Sequence, residues 1–95
     1  MKETLVKFIN KNFDEASSLH LFSGSELNGA FTILCGYADN IGASQENIKQ
    51  AIKEVTGMDL NKTQRKELGR VFDFASTYHY GRWWSTTEAK SMYKF

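Results

Sequence analysis

The stretch Ala38-Asp-Asn-Ile-Gly-Ala-Ser-Gln-Glu-Asn-Ile-Lys-Gln-Ala-Ile52 predicts two helices joined by a tight turn at Gly42. Glycine adopts the positive φ of a sharp turn at little steric cost. Ser44 is a preferred N-cap residue, so the second helix is predicted to cover residues 45–56. Ala38 is small enough for the two helices to cross closely. The apolar residues that follow the turn recur at helical spacing and predict one buried face.

This stretch resembles the helix-turn-helix of the lambda-type repressors, above all that of phage Cro. The resemblance implies a DNA-binding transcription regulator that dimerises on a near-palindromic operator, with half-sites ~34 Å apart. The alternative is an ordinary pair of antiparallel helices packed for stability alone. The residues that carry the resemblance are Ala38, Ile41-Gly42, Gln45, Ile48 and Lys49-Gln50-Ala51-Ile52.

In a helix-turn-helix, the polar face of the second helix reads the major groove. Glutamines there pair with adenine, and lysines reach guanine or phosphate oxygens. A glutamate on this face repels phosphate unless it accepts a hydrogen bond from cytosine N4, and the face lacks arginine, the residue most used for guanine. A solvated surface with neighbouring ion pairs is the alternative interpretation. The predicted DNA-binding residues are Ser44, Gln45, Glu46, Lys49, Gln50 and Lys53.

Composition indicates one compact helical domain. The 95 residues are 41% hydrophobic and 14% aromatic, and they include no proline. This is enough apolar surface for a core, and the chain lacks the commonest helix breaker. We therefore predict an all-α fold, a compact bundle of about five helices with an embedded helix-turn-helix, in a single domain over residues 1–95.

The expected location is the cytoplasm. A single cysteine, Cys35, cannot form an intramolecular disulfide, which favours a reducing compartment. Lys7, Asn10 and Lys11 interrupt any signal-peptide core, and no apolar run is long enough to span a membrane. We expect no membrane association.

Start signals and apolar spacing define the expected helices. The first covers residues 2–16, and the second extends to about residue 41 from a capping box at Ser23 and Glu26. The fourth covers residues 62–80, with Asn61 as its N-cap and a buried stripe of Leu68, Val71, Phe72, Ala75 and Tyr78. A second capping box, at Ser85 and Glu88, opens a short fifth helix.

Positive charge is concentrated in the later part of the chain. The net charge is +1, but residues 58–95 carry seven Lys or Arg against four Asp or Glu. On the fourth helix these cations recur on the side opposite the apolar stripe, where they could contact phosphates beside a reading helix. A solvated helix face is the alternative. The predicted phosphate-contact residues are Lys62, Arg65, Lys66 and Arg70.

The densest aromatic cluster lies at residues 78–84. Two adjacent tryptophans rarely both point inward, so one of them is expected to be exposed. Exposed Trp, Tyr and Arg together are typical of binding hot spots. A homodimer contact or a docking surface for another protein is the functional interpretation, and closure of a small core is the alternative. The predicted partner-interface residues are Tyr78, Tyr80, Arg82, Trp83 and Trp84.

No other motif indicates chemistry. His20, Cys35 and His79 lack the paired spacing of metal ligands, and no phosphate loop or catalytic set is present. We therefore expect no enzyme activity, no catalytic residues, no metal and no cofactor. Cys35 is expected to be a buried thiol.

Two functions remain open. The first is a phage-type transcription regulator that binds double-stranded DNA as a dimer. The second is a small helical phage or prophage protein that binds and inhibits a host protein, such as an anti-defence factor of the anti-CRISPR type, through its aromatic and basic C-terminal surface.

Overall fold

The computed structural model describes residues 1–13 and 27–95, and these residues form five α-helices and one 3₁₀ helix, with no strand among them. This confirms the all-α class. The helices are α1 (Lys2–Asn12), α2 (Leu27–Ile41), α3 (Gln45–Thr56), α4 (Lys62–Thr77) and α5 (Thr87–Met92), with the 3₁₀ helix (Tyr80–Ser85) between α4 and α5. None of the helices in these ranges is both long and apolar enough to cross a membrane.

The buried side chains form one continuous apolar core around α2. This helix packs against α4 and the 3₁₀ helix, while α3 packs more extensively against α1 than against α2. Phe31, Leu34, Cys35 and Ala38 of α2 are fully buried, which fits the broad apolar stripe of its sequence. Burial raises the pKa of the Cys35 thiol to about 12.

The predicted boundaries of α3 are confirmed. Gly42 has φ +76° in the turn before the helix, and Gly57 has φ +77° at its C-cap. Ser44 is the N-cap, and its hydroxyl oxygen accepts a hydrogen bond from the Asn47 backbone N–H at 3.1 Å. The order α2, turn, α3 is the order that a helix-turn-helix requires. Use of this pair to read DNA stays a prediction.

Helix α1 is shorter than predicted. It ends at Asn12, and Phe13 is extended (φ −122°, ψ 110°), so a continuous helix to residue 16 is wrong. The Asn12 side chain is held by the C-terminal segment: its Nδ2 donates to the Lys94 carbonyl, and its Oδ1 accepts from the Lys94 N–H, both at 2.7 Å. The predicted capping box at Ser23 and Glu26 lies outside the described residues.

The region after α4 differs most from the sequence prediction. Helix α4 begins after the predicted N-cap, Asn61, but ends at Thr77 instead of continuing to residue 80. The following 3₁₀ helix was not predicted. The N-cap of α5 is Thr86, whose hydroxyl oxygen accepts from the Ala89 N–H, so the prediction of Ser85 is wrong. The Ser85 hydroxyl instead accepts a hydrogen bond from Asn40 Nδ2 at 2.9 Å.

Candidate functional site

The 3₁₀ helix is fixed against the C-terminal end of α2. The Gly81 N–H donates to Asp39 Oδ2 at 2.9 Å, and Asn40 Nδ2 donates to the Gly81 carbonyl at 3.0 Å. The approach is close enough to require glycine, because a Cβ at Gly81 would lie 2.5 Å from the Asn40 backbone nitrogen. His79 takes the left-handed conformation (φ 55°) that ends the path of α4 and turns the chain toward this contact.

This turn leaves three aromatic side chains exposed beside one another. We call Phe74, Tyr78 and Tyr80 the aromatic patch; their exposed fractions are 47%, 62% and 37%. The Phe74 ring centroid lies 4.6 Å from that of Tyr78 and 5.8 Å from that of Tyr80. The prediction that Tyr78 belongs to the buried stripe of α4 is therefore wrong, because the helix ends there and the chain turns toward α2.

A cleft adjoins the aromatic patch. It encloses about 400 Å³, and Tyr80 belongs to both features. Its apolar walls come from α2, the 3₁₀ helix and the residue after α5: Ile33, Gly36, Trp83, Trp84 and Tyr93. A smaller hollow of about 240 Å³, lined in part by Arg70, Phe74 and Tyr80, lies beside them.

The predicted partner-interface residues are close together but differ in exposure. Tyr78, Tyr80 and Arg82 are exposed, Trp83 is half-buried, and Trp84 is buried with 5% exposure. Neither tryptophan is exposed, so the expectation of one exposed tryptophan is wrong: Trp83 packs against Trp84 and Tyr93 at centroid distances of 5.1 and 6.0 Å. Phe74 of the patch and Ile33 and Tyr93 of the cleft were not predicted from the sequence as interface residues. Phe74 could have been found from its spacing, because it falls outside the buried stripe of α4.

The predicted DNA-reading residues lie on α3 and its N-cap, where several contact other parts of the chain. Gln45 is half-buried, and its Nε2 lies 3.4 Å from the position that a Cβ on Gly69 of α4 would occupy. Lys49 lies 3.8 Å from the carboxylate of Glu46. Gln45 therefore lies close to α4, whereas the pair of Lys49 and Glu46 lies within α3.

Two of the remaining predicted reading residues, Lys53 and Ser44, also contact other residues of the chain. Lys53 pairs with Asp59 at 3.3 Å. The Ser44 hydroxyl donates a hydrogen bond to Asn47 Oδ1 at 2.9 Å, so the capping interaction already uses this donor. Gln50 is exposed. The reading face therefore combines exposed polar groups with cations that already face carboxylates.

The predicted phosphate-contact residues do not share one site, because Arg65 and Arg70 lie at different hollows. Arg65 lines a hollow of about 450 Å³ between α3 and α4 together with Lys49 and Lys53. Arg70 lies instead beside the aromatic patch and pairs with Glu67, whose pKa is lowered by the hydrogen bond from the Arg70 guanidinium. Lys62 and Lys66 are exposed.

Within residues 1–13 and 27–95, no three His, Cys, Asp or Glu side chains lie close enough together to hold a metal ion. His20, one of the residues considered from the sequence, lies outside these ranges. Comparisons with protein-family models, with curated proteins and with solved structures found no match to this chain.

Proposed function

We propose that this chain is a protein-binding domain and that the aromatic patch, with its adjoining cleft, is the contact surface. The observation that supports this proposal is the exposure of three neighbouring aromatic rings, those of Phe74, Tyr78 and Tyr80. Single exposed apolar residues are common on soluble proteins, whereas a contiguous group beside an apolar cleft marks an interaction surface. Tyr, Trp and Arg are the residues most enriched in binding hot spots, and all three types occur here.

The 3₁₀ helix supports this function because it presents the patch on a rigid base. Its Gly81 backbone makes two hydrogen bonds with α2: the N–H donates to Asp39, and the carbonyl accepts from Asn40. Buried Trp84 anchors the same segment in the core. A surface that is already ordered loses little conformational freedom on binding, which favours affinity. In this proposal the domain acts by covering a surface of its partner, as an inhibitor does.

The reading face of α3 gives weaker support to the DNA-binding alternative. DNA affinity comes largely from cations that neutralise phosphates. Here Lys49 faces Glu46 and Lys53 faces Asp59, so both cations already have a carboxylate nearby. The capped start of α3 and the exposed Gln50 favour DNA binding, and the experiment below tests it directly.

The proposal is tested with the exposed-residue double variant Phe74→Ala/Tyr78→Ala. A tagged wild-type chain is used to capture partners, and each identified partner is then purified and titrated against the variants. We expect the double variant to bind about 30-fold more weakly, the factor for a 2 kcal/mol hot spot. Met58→Ala is the control, because Met58 is 58% exposed and lies in the α3–α4 connection. It should bind like the wild type.

Two outcomes would overturn this proposal. One is retention on duplex DNA at low salt that Gln45→Ala and Lys49→Ala abolish and the patch variant preserves. The other is a partner that binds the wild type and the patch variant equally. Light scattering at micromolar concentration adds a further check: a dimer that dissociates in the patch variant assigns the patch to self-association instead.

A further inference from the structure

The cleft beside the aromatic patch contains a hydrogen-bond donor without an acceptor. Trp84 is 95% buried (5% exposed), and its ring packs against Phe8 and Tyr93 at centroid distances of 5.4 and 4.8 Å. Its Nε1 lies above Gly36, where a Cβ would be only 2.6 Å away. Both residues line the cleft.

No described residue accepts a hydrogen bond from Trp84 Nε1. In the described part of the chain, every fully buried side-chain nitrogen or oxygen has a partner, so this atom must retain access to solvent. A buried tryptophan usually finds an acceptor for its N–H, because an unpaired donor loses its hydration. The cleft therefore offers an apolar volume with one oriented donor.

The described residues that line the cleft include no Lys, Arg, Asp or Glu. Charges of both signs lie around it: Arg82 is exposed in the 3₁₀ helix, Asp39 accepts a hydrogen bond from Gly81 of the same helix, and Asp73 lies beside Phe74 and Tyr78. Recognition at the cleft therefore depends on its apolar walls and on the Trp84 donor.

We propose that the cleft receives one large apolar side chain from a protein partner, and that Trp84 Nε1 donates to a main-chain carbonyl beside that side chain. The inference rests on the proposed function and specifies the chemistry of the partner. The volume of about 400 Å³ lies within the range of ligand pockets.

The chain provides its own spectroscopic reporter. It contains two tryptophans, and both line the cleft, so the two indole N–H signals in a ¹H–¹⁵N spectrum report on occupancy. The probe is N-acetyl-phenylalanine amide, and N-acetyl-glycine amide is its control without a side chain. We expect a saturable shift of the Trp84 indole signal with the first probe only.

A matched pair of glycine variants tests the position. Gly36→Ala places a methyl group against Trp84 Nε1 and should abolish the saturable shift. Gly29→Ala lies on the same helix with nothing within 4 Å of the new Cβ, and it should bind like the wild type. Trp84→Phe keeps an aromatic ring but removes the donor. The affinity of this variant for N-acetyl-phenylalanine amide, measured from the Trp83 indole signal, should be about fivefold lower, which is the effect of one hydrogen bond.

The outcomes separate this inference from the proposed function. Absence of a saturable shift, or unchanged probe affinity in both Gly36→Ala and Trp84→Phe, overturns the cleft assignment. Protein binding through the aromatic patch is then judged independently by the Phe74→Ala/Tyr78→Ala titration. Probe binding without any patch-dependent protein partner overturns the partner assignment and identifies the cleft as a small-molecule site.

Discussion

Gly81 is the residue on which the position of the candidate surface depends. A Cβ there would lie 2.5 Å from the Asn40 nitrogen and 2.8 Å from the Asn40 Cα. These are backbone atoms, so the clash cannot be relieved by a side-chain rotation. The 3₁₀ helix can therefore lie against α2 only while this position has no side chain.

We expect Gly81→Ala to lower the free energy of unfolding by about 3 kcal/mol, the upper range for overpacking. Gly29→Ala should be neutral or stabilising by up to about 1 kcal/mol, because alanine is the better helix former. Urea unfolding followed by circular dichroism measures both changes. Equal stability of the two variants would contradict the close packing of Gly81 on α2.

Cys35 provides a second test at this scale. Burial raises the pKa of its thiol from an ordinary value of 9.0 to about 12. The folded protein therefore keeps its proton where the unfolded chain loses it. The contribution of this group to stability is complete below pH 9 and declines as the pH rises from about 9 toward 12, by at most 1.36 kcal/mol per pH unit.

A disulfide reagent at pH 8 should therefore modify native Cys35 far more slowly than the urea-unfolded chain, because the thiolate is the reactive form. Chemical denaturation at pH 8 and 10.5 measures the loss of unfolding free energy with rising pH. This loss should be smaller in Cys35→Ala than in the wild type, because the contribution of the thiol is then absent and that of Tyr37, whose pKa is also raised by burial, remains. Rapid stoichiometric labelling of the folded protein would show that the thiol is accessible.

At the scale of the elements, the sequence predicted a helix end correctly where the interactions that determine that end are local. Helix α3 was predicted from Ser44 to Gly57 because its caps are local: each end is determined by a residue and its neighbours within four positions. The ends of α1 and α4 depend on contacts more than 40 residues away, from Lys94 and Asp39. Apolar periodicity carries no information about such partners.

The candidate surface was predictable in part for the same reason. Tyr78, Tyr80 and the two tryptophans are adjacent in the sequence, so their cluster was visible. Ile33 comes from α2 and Tyr93 from the segment after α5, and only the packing of these elements brings them to the cleft. The packing of Gln45 against Gly69 is likewise a contact between two helices.

The capping box of α3 can be tested by one substitution. Ser44→Ala removes the acceptor of the Asn47 N–H and should lower the free energy of unfolding by about 1 kcal/mol. Ser76→Ala, at an exposed position inside α4, is the matched control and should change it by less than about 0.5 kcal/mol. Thermal unfolding by calorimetry compares the two. A loss no larger than that of the control would mean that the cap contributes little to α3.

At the scale of the whole molecule, the two ends of the described structure meet in one aromatic cluster. Phe8 of α1 stacks on Tyr37 of α2 at 4.0 Å and lies 6.3 Å from both Tyr93 and Phe95. Lys11 Nζ donates to the Phe95 carbonyl at 3.0 Å. The same cluster includes Trp84, so the core that joins α1 to α2 also supports a residue that lines the cleft.

This arrangement predicts that a change at the end of α1 is detected at the cleft. Asn12→Ala removes the two hydrogen bonds with Lys94 and one to the Phe8 carbonyl, and it should lower the free energy of unfolding by about 1–2 kcal/mol. The midpoint of thermal unfolding should fall by roughly 4–8 °C per kcal/mol in a chain of this size. Asn10→Ala, exposed on the same helix, should leave the midpoint unchanged.

Tryptophan fluorescence and helical ellipticity should follow one transition in wild type and Asn12→Ala alike, because the buried residues form a single cluster and small single domains unfold cooperatively. The fluorescence arises from Trp83 and Trp84 alone, and the ellipticity arises from all the helices. If Asn12→Ala shifted the ellipticity midpoint and left the fluorescence midpoint in place, the cleft would be supported independently of α1. Coincident shifts would show that α1, the C-terminal segment and the tryptophans at the cleft unfold as one cooperative unit.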